Sequence, residues 1–135
     1  MRFLPRLERR RSKIAGTGVF ALQPITKNTR VVPYAGEKIS HRETARREAR
    51  QLPRGRIWCF IVNRRWARDA SRGGNIARYI NHSCRPNCYT KVVGDVIWIY
   101  AARNIKRGEE LSYHYLTGGT AGIPCACRPG CKTVL

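Results

Sequence analysis

Residues 74–88 read GNIARYINHSCRPNC, from Gly74 through Arg78, Asn81, His82, Ser83 and Cys84 to Cys88. Polar groups this dense, set between two apolar segments, are hard to reconcile with ordinary surface loop. Asn, His and Ser side chains carry both donors and acceptors, and on a short irregular backbone they suit the reading of a small polar ligand. A lone His82 also has a plainer reading, a core histidine satisfied by a carbonyl. Residues 81–83 match an Asn-x-Ser glycosylation sequon as well, discounted because no secretory signal is visible. Asn75 to Ile80 predicts a single helical turn.

Downstream, Gly108-Glu109-Glu110-Leu111-Ser112-Tyr113-His114-Tyr115 predicts a short strand over 111–115. Strand alternation puts Tyr113 and Tyr115 on one face, two phenols side by side, or equally two aromatics packed on a sheet. Upstream, Gly16-Thr17-Gly18 offers backbone that a ligand can approach closely, although paired glycines also mark simple turns. Of six cysteines, Cys59 lies in the apolar run Ile57–Val62 and reads as a buried thiol. The rest form two groups, Cys84 with Cys88, and Cys125 with Cys127 and Cys131. Three cysteines within seven residues cannot all pair locally without strain. The start, MRFLPRLERRRSK, has no apolar signal core, so a reducing compartment and metal ligation are expected over disulfides. Three tail thiolates lack a fourth, and Cys84 or Cys88 could complete a tetrahedral zinc site.

The chain has 135 residues, room for one domain and one core. Hydrophobic residues make up 42% and charged residues 26%, which excludes wholesale disorder. Lys plus Arg number 27 against 8 acids, a formal +19 that repels cationic partners and attracts nucleic acid or acidic protein faces. The longest apolar runs are too short to span a bilayer. Arg6–Lys13 reads as a solvated basic arm. Thr29–Ala35 reads as a strand, placed toward an edge by Pro33. Ser40 and Glu43 form a capping box before a helix carrying Ala45, Ala49 and Leu52, which Pro53 and Gly55 end. Residues 57–62 read as a buried strand, and residues 89–93 and 96–101 as a hairpin around Gly94-Asp95. The fold class is therefore mostly β, small curved sheets with one short helix.

In this order, SKIAGTGVFA (12–21), Tyr34-Ala35-Gly36-Glu37, the 74–88 stretch and AARNIKRGEELSYHY (101–115) resemble the SET-domain family of protein-lysine methyltransferases. Cys125–Leu135 looks like the family's zinc-binding post-SET tail. The resemblance implies a C-terminal pseudoknot, with a basic arm over 1–11, a SET domain over 12–117 and the tail over 118–135. It implies S-adenosylmethionine in a pocket on one face, contacted by Gly16, Thr17, Gly18, Arg78, Asn81, His82 and Tyr115. Tyr115 is then the catalytic phenol. Tyr34 and Tyr113 line a lysine channel that opens on the other face, and Tyr113 favours monomethyl product, with dimethyl as a lesser one. Zinc is implied at Cys84, Cys125, Cys127 and Cys131, with Cys88 outside the set.

The implied substrate is a lysine on a histone or another chromatin- or nucleic-acid-associated protein, with nucleic-acid contact through the +19 charge and no membrane. The implied compartment is intracellular, cytoplasmic in a bacterium and nuclear or chromatin-bound in a eukaryote or a host. Three positions depart from the family. His114 stands where Asp is common, and alternation points it away from the channel. Trp58 stands where Tyr is common and is expected to shape the channel wall. The tail spacing, Cys-x-Cys-x3-Cys, is one residue short. The rival reading is an inactive basic zinc-containing module that binds nucleic acid or protein, separable by its failure to bind S-adenosylmethionine.

Overall fold

The computed structural model describes residues 3–135. In chain order the strands are β1 (Leu7–Arg11), β2 (Thr17–Ala21), β3 (Arg30–Pro33), β4 (Glu37–Ser40), β5 (Cys59–Ile61), β6 (Trp66–Asp69), β7 (Asn81–His82), β8 (Cys88–Val93), β9 (Val96–Ala101) and β10 (Ser112–Tyr113). One α-helix among the described residues, α1 (His41–Gln51), lies between β4 and β5. The strands form four small sheets: β1-β2, β3-β9-β8, β4-β6-β5, and the parallel pair β10-β7.

Local chemistry explains most of these elements. The β8–β9 hairpin turns at Gly94, whose φ of +63° suits glycine, and Val93 faces Val96. Pro33 lies on the outer strand of its sheet, opposite Trp98. The Ser40 hydroxyl accepts the Glu43 N–H at 3.1 Å and starts α1. A 3-10 turn over Leu52–Arg54 and Gly55, at φ +71°, end it. The expected turn over 75–80 is a 3-10 turn at Ile76–Tyr79.

Two expectations need correction. The basic start is not a free arm, because Leu7–Arg11 pairs with β2 from Leu7 opposite Ala21 to Arg11 opposite Thr17. Its arginines stay exposed yet pack over aromatic rings, Arg10 on Phe20 at 4.1 Å and Arg9 on Tyr79 at 4.7 Å. The strand expected over 111–115 contains only Ser112 and Tyr113, because the Tyr115 N–H leaves the ladder and donates to His82 Nδ1 at 3.0 Å.

The main core joins both sides of this fold: Val19, Val31, Ile80, Ile99, Ile105 and Leu111 are all fully buried. Each such side chain contributes about 1.5–3 kcal/mol on burial. Ile39, Cys59 and Ala67 form a smaller cluster under α1. The helix brings little apolar surface of its own, and its one buried residue is Arg47. That guanidinium is held by Glu37 at 3.0 Å, Glu43 at 2.7 Å and the fully buried Asp69 at 2.9 Å. β7 and β10 run parallel, Asn81 beside Ser112 and His82 beside Tyr113. That pairing carries the 111–115 segment alongside the 81–84 segment, as the resemblance implies.

Candidate active site

Tyr34 and Tyr113, each 3% exposed, stand with Tyr115 around Phe60. Ring centroids are 4.9 Å apart for Tyr34–Phe60, 5.3 Å for Phe60–Tyr115 and 5.1 Å for Tyr113–Tyr115. β10 sets Tyr113 in place, and the Tyr115 hydroxyl donates to the Ile80 carbonyl. The Tyr34 hydroxyl donates to the Trp58 carbonyl at 2.7 Å. Burial pushes all three phenols above their ordinary pKa. They are therefore neutral hydrogen-bonding groups at pH 7, not bases. They line a cavity of about 590 Å³, walled on its outer side by α1 and residues 116–121. Phe60, at the centre of the cluster, is a site residue that sequence reasoning passed over. Its signal was its place in the apolar run 57–62.

Tyr115 also lines a second cavity, of about 370 Å³, with Gly16, Thr17, Trp58, Arg78, Tyr79, Asn81, His82 and the tail residues Ile123, Pro124, Ala126 and Leu135. Gly16 sits at φ +46° with open space where a Cβ would stand, so at this position the wall is bare backbone. Gly18 is outside the lining; a Cβ there would collide with the Glu110 side chain, so its smallness makes room for Glu110. Trp58 belongs to this cavity and not to the tyrosine-lined one, contrary to the expectation that it shapes the channel wall. Its ring is approached by the guanidinium groups of Arg56 at 5.4 Å and Arg78 at 5.8 Å.

Asn81 and His82 are engaged within the protein. The Asn81 amide nitrogen lies 3.0–3.1 Å from oxygens of Ser12, Ala15, Thr17 and Glu110, and so fixes the 12–17 loop. Ser12 in turn donates to Glu110 at 2.6 Å. The His82 ring is buried, and burial, helped by the neighbouring His114, lowers its pKa to about 4, so it is neutral and able to accept the Tyr115 N–H. The plainer reading of His82, a buried and satisfied histidine, thus holds with an N–H as partner in place of a carbonyl. Contrary to the expectation that alternation points it away from the channel, His114 lies on the rim of the tyrosine-lined cavity, exposed and edge-on to His82 at 4.6 Å, because the strand ends at Tyr113.

The sulfurs of Cys84, Cys125, Cys127 and Cys131 all lie within 4.8 Å of one another. Cys84 is 3.8 Å from Cys125 and 3.9 Å from Cys131. A tetrahedron with Zn–S bonds of about 2.3 Å has edges of roughly 3.8 Å, so the donor set and its spacing fit zinc. Cys88 is buried in β8, opposite Ala101, and stays outside this cluster. The open choice between Cys84 and Cys88 therefore falls to Cys84 on geometry.

The family described as SET domain matches residues 16–116. "Histone-lysine N-methyltransferase trr" of Drosophila melanogaster is 44% identical over 131 residues, covering 90% of this chain and 5% of that protein. "Histone-lysine N-methyltransferase, H3 lysine-4 specific" of Neurospora crassa is 38% identical over 136 residues, covering 93% of this chain and 10% of that protein. The chain thus spans a tenth or less of the length of either relative. Among solved structures, Chaetomium thermophilum Polycomb Repressive Complex 2 bound to GSK126 superposes with a TM-score of 0.78 at 32% identity, over 84% of this chain and 16% of that one. The order of the motifs, the parallel β7–β10 pairing and these likenesses agree, and the chain belongs to the SET-domain family.

Proposed function

We propose that the chain is an S-adenosylmethionine-dependent protein-lysine N-methyltransferase whose substrate lysine lies on a histone or another chromatin-associated protein. The observation that carries this reading is that Tyr115 lines two different cavities, one reached by the open backbone of Gly16 beside Arg78, Asn81 and His82, and one walled by phenols. The names of the relatives support it. Gly16, Thr17, Arg78, Asn81, His82 and Tyr115 would hold S-adenosylmethionine in the smaller cavity. When bound there, that group supplies a methyl on a sulfonium, a carbon open to in-line attack by an amine.

The chain's own residues then act by alignment and exclusion of water. Tyr34, Tyr113 and Phe60 surround the lysine, and Tyr115, held by the Ile80 carbonyl, fixes the approach line. The amine must be neutral, which at pH 7 costs about 4–5 kcal/mol for an ordinary lysine. Burial among aromatic walls lowers that cost. Tyr113 sets product size: its hydroxyl holds a water where a further methyl would sit, which favours monomethyl product with dimethyl as the lesser one. Cys84, Cys125, Cys127 and Cys131 would hold zinc and tie the tail across the smaller cavity. The +19 charge favours nucleoprotein substrates over free basic peptides, with nucleic acid as the bridge. A chromatin location follows from that substrate. Among the described residues no helix is long and apolar enough to cross a membrane.

The test is incubation with labelled S-adenosylmethionine and purified histones or nucleosomes, followed by mass spectrometry of lysines. Methyl-lysine is expected, and Tyr115→Phe should cut turnover on the order of 10²–10³-fold while cofactor binding by calorimetry persists. Cofactor binding with no transfer to any substrate, or near-normal turnover by Tyr115→Phe, would refute the assignment.

A further inference from the structure

The chain holds eight carboxylates among 27 cationic side chains. Six of the eight are ion-paired: Glu8 with Arg10, Glu37, Glu43 and Asp69 with Arg47, Asp95 with Lys38 and Arg68, and Glu109 with Arg103. Glu110 accepts from Ser12 and Asn81. Glu48 has neither an ion pair nor a side-chain hydrogen bond among the described residues. In so basic a chain, an acid whose side chain meets neither a cation nor a hydrogen-bond donor is the exception.

Its position makes the exception informative. Residues 41, 44, 45, 48 and 52 recur at three- and four-residue spacing, so they share one face of α1 and its following turn, and that face lines the tyrosine cavity. An adjacent face, through Glu43, Arg47 and Gln51, is fastened to the sheet, where Arg47 and Gln51 both donate to Asp69. Glu48 is thus held, half-buried, on the cavity wall by a helix that cannot easily rotate away. Burial, helped by the charge of Asp69, raises its pKa. A cationic guest would restore its preference for the charged form.

We infer that Glu48 forms a cation subsite in the tyrosine-lined cavity, reading an arginine or lysine side chain that neighbours the target lysine in the substrate. The inference rests on the methyltransferase reading and adds a sequence preference to it. It also gives a route by which a +19 protein accepts a basic segment: Glu48 sets one carboxylate without a cationic partner on the cavity wall. A cavity of about 590 Å³ is roughly 10 Å across, and extended backbone advances about 3.3 Å per residue, so the recognised cation lies within about three residues of the target lysine.

The test uses peptides with one central lysine in a glycine–alanine background, with a single arginine placed in turn at each of the three positions on either side. For the unmodified chain, KM for at least one arginine peptide should be about tenfold below that of the all-neutral peptide. In Glu48→Gln that ratio should fall to about one. Glu48→Arg should prefer glutamate at the same position. The readout is a ratio within each variant, so a general loss from imperfect folding cancels. Fluorescence anisotropy of the same peptides gives an independent binding ratio. An arginine preference that survives Glu48→Gln, or a uniform kcat loss on every peptide with the ratio intact, would overturn the subsite and leave the methyltransferase reading standing. A chain that binds no peptide and transfers methyl to none would overturn both.

Discussion

Helix α1 and the 118–135 tail do the same job by opposite means. The helix walls the tyrosine-lined cavity, the tail walls the smaller one and adds Thr120 and Ala121 to the first, and each is poor in buried apolar surface. The helix is held by ions, with one buried guanidinium shared among three carboxylates. The tail is braced within itself by a short backbone pairing of Pro124 with Val134, and it meets the rest of the chain at Cys84, whose sulfur clusters with those of Cys125, Cys127 and Cys131. A cavity wall does not need a core of its own if a polar fastening is fully satisfied, and the choice of fastening decides what breaks it.

The largest effect should follow from Arg47→Met. Removing one partner of a buried ion pair leaves Asp69 charged and nearly uncompensated, which costs about 3–5 kcal/mol. Urea unfolding should show that loss. In the remaining folded molecules cofactor affinity should stay close to normal, because α1 does not line the smaller cavity. A loss below about 1 kcal/mol would mean that the helix is held by something other than this network.

The tail is expected to fail separately. A chelator at neutral pH, or Cys84→Ser, should release bound zinc and weaken cofactor binding about tenfold or more, with unfolding of the main core little changed. Cys88→Ser should keep the metal. Metal analysis with calorimetry checks both, and loss of zinc from Cys88→Ser together with retention in Cys84→Ser would reverse the assignment.

Acid distinguishes the two fastenings more gently. Hydrogen bonds from Arg46 and then Arg47 lower the Glu43 pKa from 4.5 to about 2. The same guanidinium lowers Glu37. For carboxyls lowered in the folded state, the stabilisation is complete above about pH 4.5 and disappears as pH falls toward 2. Helical circular dichroism should therefore decline through that window, and the decline should flatten in Arg47→Met.

The smallest change is expected at Tyr113, which lines the tyrosine cavity alone. Tyr113→Phe should leave turnover within a few-fold but raise the number of methyls per lysine, because the anchored water is released. Intact-mass analysis of a methylated peptide reads this directly. Abundant trimethyl product from the unmodified chain would remove the role given to Tyr113.

These contrasts mark what a sequence shows and what it hides. The hairpin, the capped helix and the paired tyrosines were legible because each depends on neighbours a few residues apart. β6 was hidden because Arg68 and Asp69 look like surface. Their partners are distant in sequence: Asp69 meets Arg47, and Arg68 meets Asp95 at 3.1 Å. β1 was read as an arm because the reason it pairs, arginines packed over Phe20 and Tyr79, lies on other elements. In the site, the tyrosines stood out in sequence. The bracing of the 12–17 loop by Asn81 and Glu110 could not, since those two residues lie 29 apart.

The contact between His82 and the Tyr115 N–H, spanning 33 residues, has a consequence in time. During synthesis at about 5–20 residues per second, the 81–82 segment leaves the ribosome roughly 2–7 s before the segment that must dock beside it. Over that interval the nascent chain lacks the tyrosine pair, and neither cavity has its shared wall. Completion of the two-cavity site is then a late event in the birth of the molecule, timed by the arrival of Tyr115.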